Sequence, residues 1–478
     1  MIAVYIILAL LVIFIAVLLI RTAMFKPAKA DEKSFEDVEF DRDKAVDNLA
    51  ALIKCKTVSY RDPALEDDAE FQKLIDLLPE LYPNVFKTCT LKKLPDRALL
   101  FHWKGRTPGK PAVMMAHYDV VPVVEENWEK PPFEAIIEDG VMWGRGTLDT
   151  KVTFNGVLSA ADHLISTGFV PENDIYFAFS GGEEVNGKGA VNIVDYFENE
   201  DIELAMVVDE GGAVVEGVFP GVDHPTALIG IAEKGMLDLQ YTVKSQGGHA
   251  SAPPVHTPVG KLAIACEKVE SHPFKMHITK PVAEMFDTLG RRSTFVYRLI
   301  FANMWCFKGV LNSMCKKSGG EMNALLRTTV AFTQMSGSAA SNVIPPEASM
   351  VSNIRLNPED TMDSAMEYIS KTIGDENVVL SKIHGMNPSR ISDTSAEGWR
   401  KVCDAVEGTW RGSIVSPYLM VQCSDSRHYG RISDKVYRFS AMDLTAQERS
   451  TIHGNNERIR LETIGRATEF YIRLMGMC

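Results

Sequence analysis

The chain of 478 residues is short of several things. It has no closely paired cysteine framework: Cys55, Cys89, Cys266, Cys306, Cys315, Cys403, Cys423 and Cys478 are scattered singly. That excludes a disulfide-stapled secreted scaffold and fits free thiols in a reducing compartment. It has no basic run, and its net charge of −13 argues against nucleic acid as a partner. Internal repeats and low-complexity tracts are also missing. What remains is a globular composition, 46% hydrophobic and 24% charged, in a chain long enough for two folded units and a short appendage.

The appendage is N-terminal. Ile2 to Ile20 carries no charge, and as a helix it would be about 28 Å long, close to the ~30 Å hydrocarbon thickness of a bilayer. A signal peptide would want a basic start and a small-residue cleavage site. The start carries neither Lys nor Arg, and Arg21-Thr22-Ala23-Met24-Phe25 is a poor cleavage site. The expectation is an anchor over 1–25. Arg21, Lys26 and Lys29 follow it, which places the rest of the chain on the cytoplasmic side of a membrane. Residues 26–40 are charged and read as a linker.

Beyond the linker, strands and helices alternate. Ala112 to Ala116, Asp174 to Ser180 and Leu204 to Val208 read as buried strands, with helices expected over Thr150 to Thr167 and Lys188 to Glu198. The expected class is α/β, a mainly parallel sheet covered by helices. His117 and Asp119 follow the first strand, Glu183 and Glu184 the second, and Glu210 the third; Asp149 precedes a helix and His453 lies far downstream. In open α/β sheets, ligands bind beyond the carboxyl ends of strands. Oxygen and imidazole donors without cysteine suit divalent zinc, cobalt or manganese. Such a set can hold two ions and leave a carboxylate for proton transfer, as in a two-metal hydrolase. Asp209 beside Glu210 leaves open which of the two is a ligand.

Between about Lys234 and Ser392 the order becomes β-α-β-β-α-β, that of a ferredoxin-like α+β unit inserted into the first domain. The division is therefore 41–233 and 393–478 for a catalytic domain and 234–392 for an inserted lid or dimerisation domain. Within the insert, residues 274–323 read as an extra helical stretch containing Phe295, Phe301, Trp305 and Phe307, expected as a packed helical pair, with contact with a membrane surface as the alternative.

The runs His117-Tyr118-Asp119, Gly144-Arg145-Gly146-Thr147-Leu148-Asp149, Gly182-Glu183-Glu184, Asp209-Glu210-Gly211-Gly212, Gly248-His249-Ala250-Ser251 and Asn342-Val343-Ile344-Pro345-Pro346 occur in this order. Together they resemble the di-zinc peptidase family of aminoacylase, carboxypeptidase S and succinyl-diaminopimelate desuccinylase. With Asp425-Ser426-Arg427 and Ile452-His453-Gly454, they look most like its carboxypeptidase S and N-acyl aromatic amino acid hydrolase branch.

The resemblance implies two Zn²⁺, with Co²⁺ or Mn²⁺ as substitutes. Asp149 would be shared between the ions, with His117 and Glu210 on one and Glu184 and His453 on the other. It gives Glu183 the role of general base, makes Asp119 the anchor of His117, and assigns His249 as an oxyanion donor, often supplied across a homodimer. It also implies a cis peptide at Asp149–Thr150. Arg427, Arg355 and Asn342 are candidates for gripping a substrate carboxylate. The implied reaction cuts an amide beside a free α-carboxylate, as a carboxypeptidase or dipeptidase on short peptides or as an N-acyl amino acid deacylase. A membrane-tethered binding protein without catalysis is the competing class, against which the intact ligand set and Glu183 argue. A purely structural metal site would call for cysteines.

Overall fold

The computed structural model describes residues 1–27, 33–217 and 219–478, so residues 28–32 of the expected linker, Lys29 among them, lie outside the described residues. Residues 33–40 run without helix or strand against the folded body: Lys33 pairs with Asp404 and Glu407, and Arg411 donates to the Phe35 carbonyl.

The main layer is an eight-stranded, mainly parallel sheet. Its strands follow the order Thr90–Leu94, Ala98–Trp103, Ile175–Ser180, Ala112–His117, Met206–Val215, Val436–Leu444, Thr226–Glu233 and Ile414–Met420. Both faces are covered by helices, so the inner strands read as unbroken apolar runs: every residue of Ala112–His117 and Ile175–Ser180 is buried. Helix Lys151–Ser166 is buried almost all round because Leu461–Met475 and Arg42–Ile53 both pack on it.

One expected boundary moves. The third strand does not stop at Val208 but continues through Glu210 to Val215. Val436–Leu444 stays beside it in parallel to Val215, while on its other edge the partner changes from Ala112–His117, parallel at Met206–Val208, to Thr226–Glu233, antiparallel at Val214–Val215. The glycines at the change are obligatory. A Cβ on Gly212 would fall 1.8 Å from the Leu228 carbonyl oxygen, and Gly211 has φ +148° with Met420 Sδ only 2.4 Å from its would-be Cβ.

A second sheet has the antiparallel order Thr329–Ser336, Glu347–Leu356, Gly235–Lys244, Val379–Met386. Helices Pro258–Ser271 and Met362–Ile373 cover one face and enclose a separate core around Leu239, Tyr241, Ile354 and Ile369. The latter helix starts on a capping box, Thr361 with Ser364. Residues 274–323 carry helices Lys280–Arg292, Phe295–Ala302 and Met304–Ser318, more than a pair. Their apolar side chains (Val282, Met285, Phe286, Leu289, Phe301) join the core of the large sheet rather than that of the small one. The N-terminal helix runs Ile2–Met24, its side chains almost all exposed.

Candidate metal centre

Three strand ends and one returning segment converge. His117 closes its strand, and Glu183 and Glu184 sit in the turn after Ser180. Glu210 projects from the long strand, and Asp149 precedes helix Lys151–Ser166 across an Asp149–Thr150 peptide that is cis. His453, in left-handed backbone at φ +58°, arrives from the C-terminal segment.

Asp149 lies between the two histidines. Its Oδ1 is 3.0 Å from His117 Nε2, and its Oδ2 is 3.0 Å from His453 Nε2. Glu210 Oε1 is 3.4 Å from His117 Nε2, and Glu184 Oε2 is 3.1 Å from His453 Nε2. His117, Asp149 and Glu184 offer donor atoms within 4.8 Å of one another, and so do His117, Glu183 and Glu210. Asp209 does not join them. Its Oδ2 accepts the Ser426 backbone N–H at 2.9 Å, which turns it away from the cluster.

The electrostatics are those of an acid cluster short of cations. Burial, reinforced by Asp149, pushes Glu184 up to about 7. Burial likewise pushes Glu210 up to about 7 despite His117 beside it. Glu183 is raised well above the ordinary carboxylate range by burial and by neighbouring Asp425, Glu210 and Glu184. Burial opposes the charged form of Asp149, but hydrogen bonds from His117 and His453 hold its carboxyl far below the usual range. Bonds to Asp149 and Glu184 raise His453 to about 10. One buried oxygen, Glu184 Oε1, has no hydrogen-bond partner. Carboxylates crowded against two imidazoles, with an orphaned oxygen among them, fit divalent cations.

Two further carboxylates shape the centre from behind. Asp119 accepts the backbone N–H groups of Glu183 and Glu184 at 3.1 and 3.2 Å, while its own carbonyl lies 3.0 Å from His117 Nδ1. Glu457 escaped the sequence reading. Fully buried, it pairs with Arg145 at 2.6 Å and accepts the N–H groups of Gly146, Leu148 and Asp149 at 3.1, 2.6 and 3.2 Å. It thereby holds the segment that carries Asp149. Its only sequence signal is its nearness to His453.

The centre opens into a cavity of about 390 Å³. Asp149, Glu183, Glu184, Glu210 and His453 line it with donors; Ala213, Val215, Leu228, Met420, Met442 and Leu444 give it an apolar wall; Glu321, Tyr418, Gln422, Ser424, Ser440 and Arg449 are among its other polar groups. A larger cavity, about 970 Å³, lies around Glu216, Trp410 and Asp443 and contains none of the clustered donors, so chemistry picks the smaller one.

The remaining candidates stand off this wall. His249 is exposed on a two-residue strand paired with Val343–Ile344, and Asn342 immediately precedes that partner strand. Ser251 donates its backbone N–H to His249 Nδ1 at 3.1 Å, so the ring proton belongs on Nε2. Arg355 reaches Asn353 and Cys423. Arg427 donates to Asn186 Oδ1 at 3.0 Å, and its buried Nε has no partner.

Residues 113–476 match the model of peptidase family M20/M25/M40. The chain is 34% identical over 476 residues to N-fatty-acyl-amino acid synthase/hydrolase PM20D1 of Xenopus tropicalis, covering 97% of this chain and 93% of that protein. It is 32% identical over 435 residues to probable carboxypeptidase S-like 2 of Dictyostelium discoideum, covering 89% and 83%. Among solved structures, the M20 family metallo-carboxypeptidase Sso-CP2 from Sulfolobus solfataricus superposes with a TM-score of 0.66 at 18% identity, covering 91% of this chain and 98% of that one. That likeness is one of fold.

Proposed function

The chain belongs to peptidase family M20/M25/M40 and is a hydrolase of amide C–N bonds; from that premise we propose that it splits N-acyl amino acids whose acyl group is apolar. The observation that carries this reading is the cavity wall of Ala213, Val215, Leu228, Met420, Met442 and Leu444, which shares the cavity with the carboxylate cluster and offers an acyl chain an apolar surface. Similarity to an N-fatty-acyl-amino acid synthase/hydrolase supports it. A second reading, a carboxypeptidase or dipeptidase on short peptides, is favoured by the likeness to carboxypeptidase S-like 2. The two differ in what fills the cavity, not in the reacting bond.

His117 and Glu210 would hold one zinc ion and Glu184 and His453 the other, with Asp149 shared between them. When bound, the ions supply Lewis acidity to the scissile carbonyl and to water. Every other step belongs to side chains. Glu183 takes the proton from the attacking water on a carboxylate oxygen and returns it to the leaving nitrogen, so one group acts as base and then acid. Asp119 orients His117 and the Glu183–Glu184 turn together.

Arg427, with its unpartnered Nε, would receive the substrate carboxylate, with Arg355 and Asn342 as the other candidates. His249, exposed and with its proton directed to Nε2, is suited to donate to the oxyanion of a second copy in a homodimer. The small sheet of 234–392 would then be the lid and dimerisation unit. Helix Ile2–Met24 would anchor the enzyme in a membrane, with Arg21, Lys26 and Lys29 holding the body on the cytoplasmic side.

The test is a turnover panel. Full-length protein with zinc should hydrolyse N-dodecanoyl amino acids faster than dipeptides, and chelation should abolish both reactions. Faster dipeptide cleavage would transfer the conclusion to the second reading. Turnover that survives complete metal removal would end both.

A further inference from the structure

The N-terminal helix does not stand apart from the folded body. Arg21 donates through Nε and Nη2 to the Ala302 carbonyl at 3.2 and 3.0 Å. Asn303, fully buried, donates to the Leu18 carbonyl at 3.2 Å and to Thr22 Oγ1 at 3.3 Å. Phe14 meets Trp305 edge to face with centroids 5.8 Å apart. Below the helix, Arg291 covers the Phe25 ring at 4.5 Å and donates to the Lys26 carbonyl at 3.1 Å. The helix is therefore gripped along its last three turns by Phe295–Ala302 and Met304–Ser318.

The grip fixes a depth. Phe14 precedes Ile20, the last residue of the uncharged run, by six residues, which is about 9 Å along a helix axis. If the helix spans a bilayer, Trp305 beside Phe14 lies below the level at which the apolar run ends. The gripping segment has the surface for that position. Phe295, Val296, Trp305, Val310 and Met314 are each more than half exposed (53, 63, 57, 54 and 60%). Between Asp287 and Glu321 there is no acidic residue, yet Arg291, Arg292, Arg298, Lys308, Lys316 and Lys317 are all basic, in a chain of net charge −13. Exposed apolar groups on a segment this rich in cations, of which, among the described residues, Arg291 alone pairs with an acid, Asp287, complement a bilayer with anionic headgroups. An exposed apolar patch continuous with a spanning helix points to the same occupant.

We propose that helices Phe295–Ala302 and Met304–Ser318 lie in the lipid interface beside the N-terminal helix, as a monotopic platform that admits amphiphilic substrates to the catalytic cavity from the bilayer. The connection to the cavity is short. Helix Gly320–Leu326 follows the platform directly, and its Glu321 both lines the cavity and accepts the Tyr418 hydroxyl at 3.1 Å. Lipid immersion rests on the anchor reading, and substrate entry rests also on the acyl-substrate reading.

Two measurements on the full-length protein separate these. In vesicles of phosphatidylcholine and phosphatidylglycerol, phospholipids brominated on the acyl chain should quench a tryptophan component that Trp305→Phe lacks. Equal quenching of both proteins overturns the platform, whatever the enzyme hydrolyses. In the same vesicles, Val310→Glu with Met314→Glu should raise KM for an N-oleoyl amino acid at least tenfold while leaving kcat, and hydrolysis of an N-acetyl amino acid, unchanged. An unaltered KM overturns the entry route. A wild type that cleaves neither substrate defeats the acyl reading and with it the entry route, but leaves the quenching result to decide the immersion. A detergent-stable dimer that the double variant dissociates would assign the patch to a second copy and overturn the proposal.

Discussion

Asp119 fixes Glu183 without touching its carboxylate: the Asp119 side chain accepts the Glu183 backbone N–H at 3.1 Å and that of Glu184 at 3.2 Å. One carboxylate thus sets the turn that presents two others. Asp119→Asn keeps the shape but gives up one acceptor oxygen. Metal affinity should fall about 10- to 100-fold, read by competition with a metallochromic chelator.

Glu183→Gln removes the carboxylate to which the proposed reaction gives the proton, and keeps the volume. We expect kcat to fall by about 10²- to 10⁴-fold with the metal content unchanged by elemental analysis. Wild-type turnover in this variant would mean that another group moves the proton.

Metal binding should strengthen as pH rises through neutrality. Without metal, Glu184 and Glu210 hold protons up to about 7, chiefly through burial, and His453 up to about 10 through its bonds to Asp149 and Glu184. An arriving cation must displace those protons, so lower pH opposes binding. Titration calorimetry in buffers of different ionisation enthalpy should show protons released at pH 7; their absence would contradict the ligand set.

Met442 is buried in the apolar wall of the cavity. Met442→Trp should shorten the seat for an acyl chain. We expect kcat/KM for an N-dodecanoyl amino acid to fall about tenfold or more, a loss of the size that pocket contacts supply, while an N-acetyl substrate changes less than about twofold by the same logic. Equal losses on both would mean that the chain binds elsewhere.

Glu457→Gln leaves the buried Arg145 guanidinium without its counter-charge, now 2.6 Å away. Removing one partner of a buried pair costs about 3–5 kcal/mol. Thermal unfolding should shift down markedly even in metal-loaded protein, and a Tm within error of wild type would refute the pairing.

Much of the centre was legible because polar residues that end apolar runs advertise themselves. His117 ends one buried strand and Glu183 and Glu184 stand just past another, where a parallel sheet puts its ligand site. Glu210 joins the cluster from within a strand that runs on to Val215, not from beyond a strand end, and only the pair Gly211-Gly212 hints at the change of edge partner there. Glu457 was illegible, since a carboxylate that serves backbone N–H groups of a segment some three hundred residues away leaves no local pattern. The fate of residues 274–323 was hidden for a similar reason. Amphipathic spacing says that a helix has an apolar face but not which of two cores receives it.

The bond from Glu457 to the Asp149 segment also has a temporal meaning. Residues 145–149 leave the ribosome long before residues 453–457, yet neither His453 nor the carboxylate that steadies Asp149 exists until then. The Asp149–His453 pair and the Glu457 brace can therefore assemble only after residue 457 has been made, some three hundred residues after Asp149 itself.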